Sequence, residues 1–184
     1  MNGKEDRVGN WMQTFTGRAY WPEDPRPEDV RIADIAHHLS MICRFTGAVK
    51  RFYSVAEHSV HVSHLVPRAD ALAGLMHDAT EAYLTDVNKP VKSSPEMQGY
   101  RELEAQNWFA ISRKFELPFV LPQCVHDADV AMYLAEHDML MRPPPFPDHS
   151  MGFATPIVPP RSWVAGWSPE HAEENFLRRF AELT

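Results

Sequence analysis

Apolar residues recur three and four positions apart along most of the chain, the spacing of one face of an amphipathic helix. Ile32, Ile35, Ala36, Leu39 and Ile42 share such a face. They predict a first helix over residues 28–43, whose acidic start, Glu28 and Asp29, suits the positive end of a helix dipole. A second helix is expected to open at Ser54, where Ser54 and Glu57 stand in capping-box spacing ahead of an apolar-rich run, and to stop at Pro67. Leu72, Leu75, Met76 and Ala79 predict a third over 70–84. Ser94-Pro95 opens a long helix over 94–115, a fifth spans 123–141, and Ser168-Pro169 opens the last, over 168–182. Strand signals are poor, with no clear alternating run of β-branched residues. The chain is expected to be all-α, a helical bundle of about six helices, with a proline-rich loop over 142–167. A loop that long in a compact domain is often functional, here as a strap or an oligomer contact.

Composition narrows the class. A chain of 184 residues with 44% apolar residues suits one folded domain with a real core. No run approaches the about 18 apolar residues of a membrane helix, and residues 1–10 are polar and charged, so neither a membrane span nor a signal peptide is expected. Cys43 and Cys124 stand in no metal or redox spacing, which points to a cytoplasmic home. A net charge of −7 speaks against bulk nucleic-acid binding. A small anionic substrate remains compatible if a few cations gather locally.

The chemistry centres on His77-Asp78. A neutral imidazole and a carboxylate side by side can ligate one divalent cation, although the dipeptide alone is weak evidence. The short turn around Pro67-Arg68 predicts an antiparallel helical hairpin, and His58 and Asp78 each lie ten residues from Arg68. His58 should therefore stand level with His77-Asp78. Glu81, three residues after Asp78, should share its face and serve as acid, base or water-orienting group. A further ligand is expected from Asp127 or Asp129, which spacing does not separate; Asp129 is followed by apolar residues, where an unpaired carboxylate is costly.

The segments Y-S-V-A-E-H-S (53–59), L-M-H-D-A-T-E-A-Y-L-T-D-V-N-K-P-V-K (75–92) and D-A-D (127–129) resemble the HD-domain metal-dependent phosphohydrolases. Within them, the similarity is to the phage and prophage branch, to phage dATP triphosphohydrolases and to bacterial 5′-deoxynucleotidases, over about residues 11–141. The resemblance implies a single HD domain over 1–184, with a catalytic core at 28–141, an aromatic segment at 11–27, the loop at 142–167 and a C-terminal helix at 168–184. It implies His58, His77, Asp78 and Asp129 as metal ligands, with Glu81 and Asp78 as catalytic groups. Arg44-Phe45 matches an arginine–aromatic pair on phosphate and base, with phenylalanine where tryptophan is common. Asp86 matches a position near the sugar, and Lys92 a phosphate-binding lysine. Arg18 is a second candidate phosphate ligand. The implied cofactor is one divalent Mn, Co, Zn or Ni ion, with Mg on the substrate phosphates. The implied activity is release of triphosphate from a dNTP, dATP among them; the alternatives are a 5′-deoxynucleotidase on dNMPs and a catalytically silent nucleotide-binding sensor. The expected partner is a small nucleotide, with no nucleic acid and no membrane, in a homo-oligomer of the cytoplasm (the host's if phage-encoded).

Other residues are expected to do less. His61 and His64 read as a polar helix face rather than a second metal site, and His37 as a satisfied histidine rather than a pocket wall. Lys50-Arg51, Arg113-Lys114 and Arg178-Arg179 read as solvated. The aromatic segment W-M-Q-T-F-T-G-R-A-Y-W-P (11–22) is expected to cover the pocket or a subunit contact.

Overall fold

The computed structural model describes residues 6–146 and 156–184; the middle of the proline-rich loop, 147–155, lies outside the described residues. The described residues are predominantly helical, as α1 (Ile32–Met41), α2 (Val55–Leu65), α3 (Ala71–Met76), α4 (Glu81–Leu84), α5 (Lys89–Lys92), α6 (Gln98–Phe115), α7 (Gln123–Leu140) and α8 (Pro169–Leu183). None of these helices is long and apolar enough to cross a membrane. A two-stranded antiparallel hairpin, β1 (Met12–Gln13) and β2 (Ala19–Tyr20), sets Met12 opposite Tyr20. Strands of two residues are too short to leave an alternating pattern, and so the sequence gives no sign of them.

Helix α2 is the axis of the fold. Residues Val55 through Ser63 are all buried, and the helix packs against α1, α3, α7 and α8. Val55, Ala56 and Val60 face one apolar cluster with Ile35, Leu39 and Phe176, while Val62 faces a second with Tyr53, Val125 and Met132. Close approach to α3 depends on Gly74, where an added Cβ would lie 3.2 Å from the Ser63 Cα. Ser54 caps α2 as expected, its side chain accepting the Glu57 N–H at 3.1 Å. Glu57 does not complete the capping box. Its buried carboxylate instead accepts the backbone N–H groups of Ala165 (3.2 Å), Gly166 (2.9 Å) and Trp167 (2.7 Å). That clasp needs glycine at 166, whose φ is +77° and whose added Cβ would meet the Phe52 carbonyl at 2.9 Å.

The helix expected over 94–115 begins at Gln98, behind a threefold turn at Pro95–Met97, and three further boundaries differ from expectation, each for a local reason. Helix α1 begins at Ile32, not 28, because Arg7 draws Asp24 and Asp29 into ion pairs at 2.9 and 2.7 Å and Arg31 is extended. Its end comes at Met41, since Ile42 turns extended and Cys43 bridges to Ser54. The expected helix over 70–84 is two helices, α3 and α4. His77 Nδ1–H donates to the Gly74 carbonyl at 2.8 Å, the acceptor a continuous helix would give to Asp78. The chain between tightens to threefold turns, with Ala79 N–H on Met76 O and Glu81 N–H on Asp78 O.

The cationic pairs are not all solvated. Arg51 donates to the Val164 carbonyl at 2.7 Å, and Arg179 to Ser63 Oγ and O, each at 3.0 Å. His61 is no polar face either. It is buried, stacked on Trp163 (ring centroids 5.1 Å apart) with Trp167 on its other neighbour contact at 4.9 Å.

Removing the clasp should be costly. We expect Glu57→Ala to lower stability by about 2–4 kcal/mol, since it strands three backbone donors that meet a charge. Equilibrium urea unfolding of the metal-free protein measures it, and a midpoint within error of the parent contradicts the clasp.

Candidate metal centre

Four side chains from three helical segments converge beneath the α2–α3 hairpin. His58 comes from α2, His77 and Asp78 from the tight turns between α3 and α4, and Asp129 from α7. His58 Nε2 lies 3.3 Å from His77 Nε2 and 3.1 Å from Asp129 Oδ1; His77 Nε2 lies 3.8 Å from Asp129 Oδ1. Asp78 Oδ2 is 3.2 Å from His77 Nε2 and 3.8 Å from His58 Nε2. Donors bound to one divalent ion at about 2.0–2.2 Å sit about 3.0–3.6 Å apart; three of these separations fall in that range, and the two of 3.8 Å lie just beyond it.

The outward nitrogens supply an independent test. His58 Nδ1–H donates to Glu136 Oε1 at 2.7 Å, and His77 Nδ1–H to the Gly74 carbonyl. Each imidazole thereby turns a lone pair on Nε2 toward the centre, the tautomer that a metal requires, locked from behind as metal-ligating histidines usually are. His58, His77 and Asp129 form a cluster that can hold a metal ion.

Without a cation the centre favours a proton on Nε2, which metal ligation would displace. Burial opposes the His77 charge, yet Asp78 and Asp129 lift its pKa well above the ordinary value. Burial likewise opposes the Asp129 charge, but hydrogen bonds from His58 and His77 hold it well below the usual range. Anionic and imidazole donors thus stabilise one another here even without an added cation.

Glu81 adds a free functional group. It follows Asp78 by one threefold turn, and its buried Oε2 meets no hydrogen-bond partner among the described residues. Burial, then the charges of Asp78 and Asp86, push its pKa well above the usual carboxylate range. A carboxyl that titrates high is suited to exchanging protons near neutrality.

The remaining sequence candidates separate into near and far. Arg44 is at the centre, with Nη1 3.5 Å from Asp78 Oδ2 and Nε 2.9 Å from Glu136 Oε2. Phe45 has a left-handed backbone (φ 55°), as does Thr46 (φ 53°), and its ring lies 5.7 Å from that of Tyr133 and 6.3 Å from that of His137. Two such residues cost roughly 1–2 kcal/mol each, which the Arg44–Glu136 anchor must offset. Asp86 is half-buried, its pKa raised by burial against the partial relief of Arg44. Lys92 is committed elsewhere, to Glu104 on α6. Arg18 stands exposed on the hairpin turn, and Asp127 is bonded to Gln123 at 2.9 Å, leaving Asp129 as the α7 donor.

Sequence reasoning missed Glu136. It is fully buried and grips both Arg44 and His58. A signal existed, because Glu136 follows Asp129 by seven residues, two helical turns on the same face, directly after the apolar run 130–135.

The fold and the cluster define an all-helical protein with a histidine–carboxylate site fit for a metal. The chain belongs to the family of the uncharacterized protein YfdR of Escherichia coli strain K12, to which it is 36% identical over 177 residues, 95% of this chain and 96% of YfdR. It is also 40% identical over 121 residues to an uncharacterized protein of Rhodobacter capsulatus, covering 61% of each chain. No protein-family model matches.

Glu136→Ala should separate support from ligation. It leaves every metal donor in place, and we expect manganese or cobalt affinity to fall about 10–100-fold. His77→Ala should abolish binding in the same calorimetric titration. Equal affinities for Glu136→Ala and the parent would remove the locked tautomer from the account.

Proposed function

We propose that this chain is an HD-type metal-dependent phosphohydrolase acting on deoxynucleotides, cleaving a dNTP to deoxynucleoside and triphosphate. The observation that carries it is the pair of imidazoles whose Nε2 atoms face Asp78 and Asp129 while their Nδ1 protons are held from behind. His58, His77, Asp78 and Asp129 would hold one Mn, Co, Zn or Ni ion. Such an ion polarises a phosphoryl oxygen and makes water a stronger acid.

The chain's own groups do the rest. Arg44, beside Asp78, lies where it can neutralise charge on the phosphate oxygens. Glu81 has an oxygen without a partner, free to orient a water and take its proton as the new oxygen–phosphorus bond forms. The bond from the α-phosphorus to the 5′ oxygen then breaks, and Glu81 returns the proton to that oxygen. Asp86 would face the sugar.

A second activity, 5′-deoxynucleotidase on dNMPs, is favoured by one observation. Lys92, the lysine expected on phosphate, is engaged by Glu104, which leaves Arg44 as the cation in contact with the cluster among the described residues. A monophosphate makes a smaller demand on cations than a triphosphate.

Product analysis with purified protein, manganese or cobalt, and all dNTPs and dNMPs tests the proposal. Triphosphate release supports the first activity and inorganic phosphate from dNMPs the second. Binding without turnover of any nucleotide supports a silent sensor and refutes the enzyme. Glu81→Ala should retain metal and lose about 10²–10⁴-fold in kcat; a kcat close to that of the parent removes Glu81 from the reaction.

A further inference from the structure

We propose that a groove of about 690 Å³ between the β1–β2 hairpin and helices α1 and α4 seats the substrate's flat organic part, with Phe15 as its stacking face, an assignment that rests on the phosphohydrolase activity above. Its volume is in the range of small-molecule sites. Glu81, three residues after Asp78, is among the residues that line the groove, and the unpartnered Oε2 of that residue calls for a hydrogen-bonding group from a ligand.

Its walls suit a neutral heterocycle rather than phosphate. Met12, Phe15, Met41, Ile42, Tyr83 and Leu84 line it, and no Lys or Arg among the described residues does. With Arg44 at the cluster and no cation in the groove, a substrate with one charged and one flat end has a single favourable orientation. Gln13, at the lip, adds an amide able both to donate to and to accept from a base edge.

Phe15 is an exposed ring held as if buried. It is 55% accessible, yet its N–H donates to His38 Nε2 at 3.0 Å and its ring stacks on His37 with centroids 3.6 Å apart. Next to it, Thr16 gives its N–H and hydroxyl to the buried Asp34 at 2.7 and 3.1 Å. His37 in turn is fixed by Glu173 at 2.9 Å. Ordering an aromatic side chain with one face left to water costs entropy while burying only part of its area. A planar ligand on its open face supplies the missing contact.

The same network couples the wall to the reacting end. His38 Nδ1–H donates to the Ala82 carbonyl at 2.6 Å, one residue after Glu81. His38 thus ties the hairpin and the Glu81 turn into one unit, so that a base on Phe15 is registered against Glu81. Phe45 lies away from this groove, beside Tyr133 and His137 of α7.

Two variants test the assignment on the full-length, manganese-loaded protein. Phe15→Ala removes the stacking face, and Met41→Trp fills the rim at an exposed position that folding tolerates. With whichever of dATP or dAMP the parent turns over, each should raise KM about tenfold or more, since base stacking on an aromatic face carries that order of affinity. Inhibition by inorganic triphosphate or phosphate should stay at the parent value, because the charged end does not enter the groove. Unchanged KM in both variants, with Phe45→Ala raising it instead, overturns the groove and leaves the enzyme standing. Weakened inhibition by the inorganic anion overturns it too. A parent that binds manganese but turns over neither nucleotide removes the phosphohydrolase activity and this assignment together.

Discussion

A carboxylate sealed from water keeps its charge only where donors meet it, and Glu136 is met on both oxygens. Arg44 Nε takes one at 2.9 Å and His58 Nδ1–H takes the other at 2.7 Å. Those partners arrive from the segment after α1 and from α2, while Glu136 itself belongs to α7. Leaving that charge unpaired would cost several kcal/mol, so the three segments cannot slide past one another independently. The orientation of the His58 ring, the free lone pair on its Nε2 and the position of the Arg44 guanidinium beside Asp78 all follow from this one group. The centre is therefore built from its back wall forward.

The same logic explains why α2 is buried on every side although its sequence is half polar. Three of its polar residues answer to specific donors or acceptors, whereas the buried Ser59 Oγ and His61 Nε2 meet no hydrogen-bond partner among the described residues. Glu57 holds the backbone at 165–167, His58 holds Glu136, and Ser63 accepts from Arg179 while donating to the Val60 carbonyl. His61 sits against Trp163 and Trp167. A histidine three residues beyond a candidate ligand looks like a solvated face only if nothing returns to cover it. Here the segment leading into α8 does so, held down by the carboxylate next in sequence to His58.

What could be read along the chain depended on range. Helices with a local start signal, Ser54 for α2 and Ser168-Pro169 for α8, stand where their caps put them, because a cap is an interaction over three residues. His58, His77, Asp78 and Glu81 come together as hairpin spacing and helical period require. Asp129 over Asp127 needed the direction of α7, which no pattern within that helix states. The break between α3 and α4 was hidden because its cause is the His77 ring capturing a carbonyl, a contact invisible to propensity. The pairing of Lys92 with Glu104, on another helix, was hidden for a similar reason. Arg7, far from α1 in sequence, moved that helix's start by claiming Asp29.

Charge at the centre sets the order of events. Asp78, Asp86, Asp129 and Glu136 surround it, Glu81 is pushed toward its neutral form, and Arg44 is the cation paired within the group. With both imidazoles in the neutral form that metal ligation needs, those four carboxylates against one guanidinium leave a formal balance near −3, and a phosphate brought to it would meet net repulsion. At an effective dielectric of about 20, two unit charges about 4 Å apart interact by about 4 kcal/mol, more than stacking on a ring recovers. On the phosphohydrolase proposal, favourable phosphate binding would thus require the divalent charge that the imidazoles and carboxylates could hold. The proposed site would then have two parts, with electrostatics governing one end of the substrate and shape the other. Discrimination among nucleotides would fall to the apolar groove, since the charged end is common to all of them.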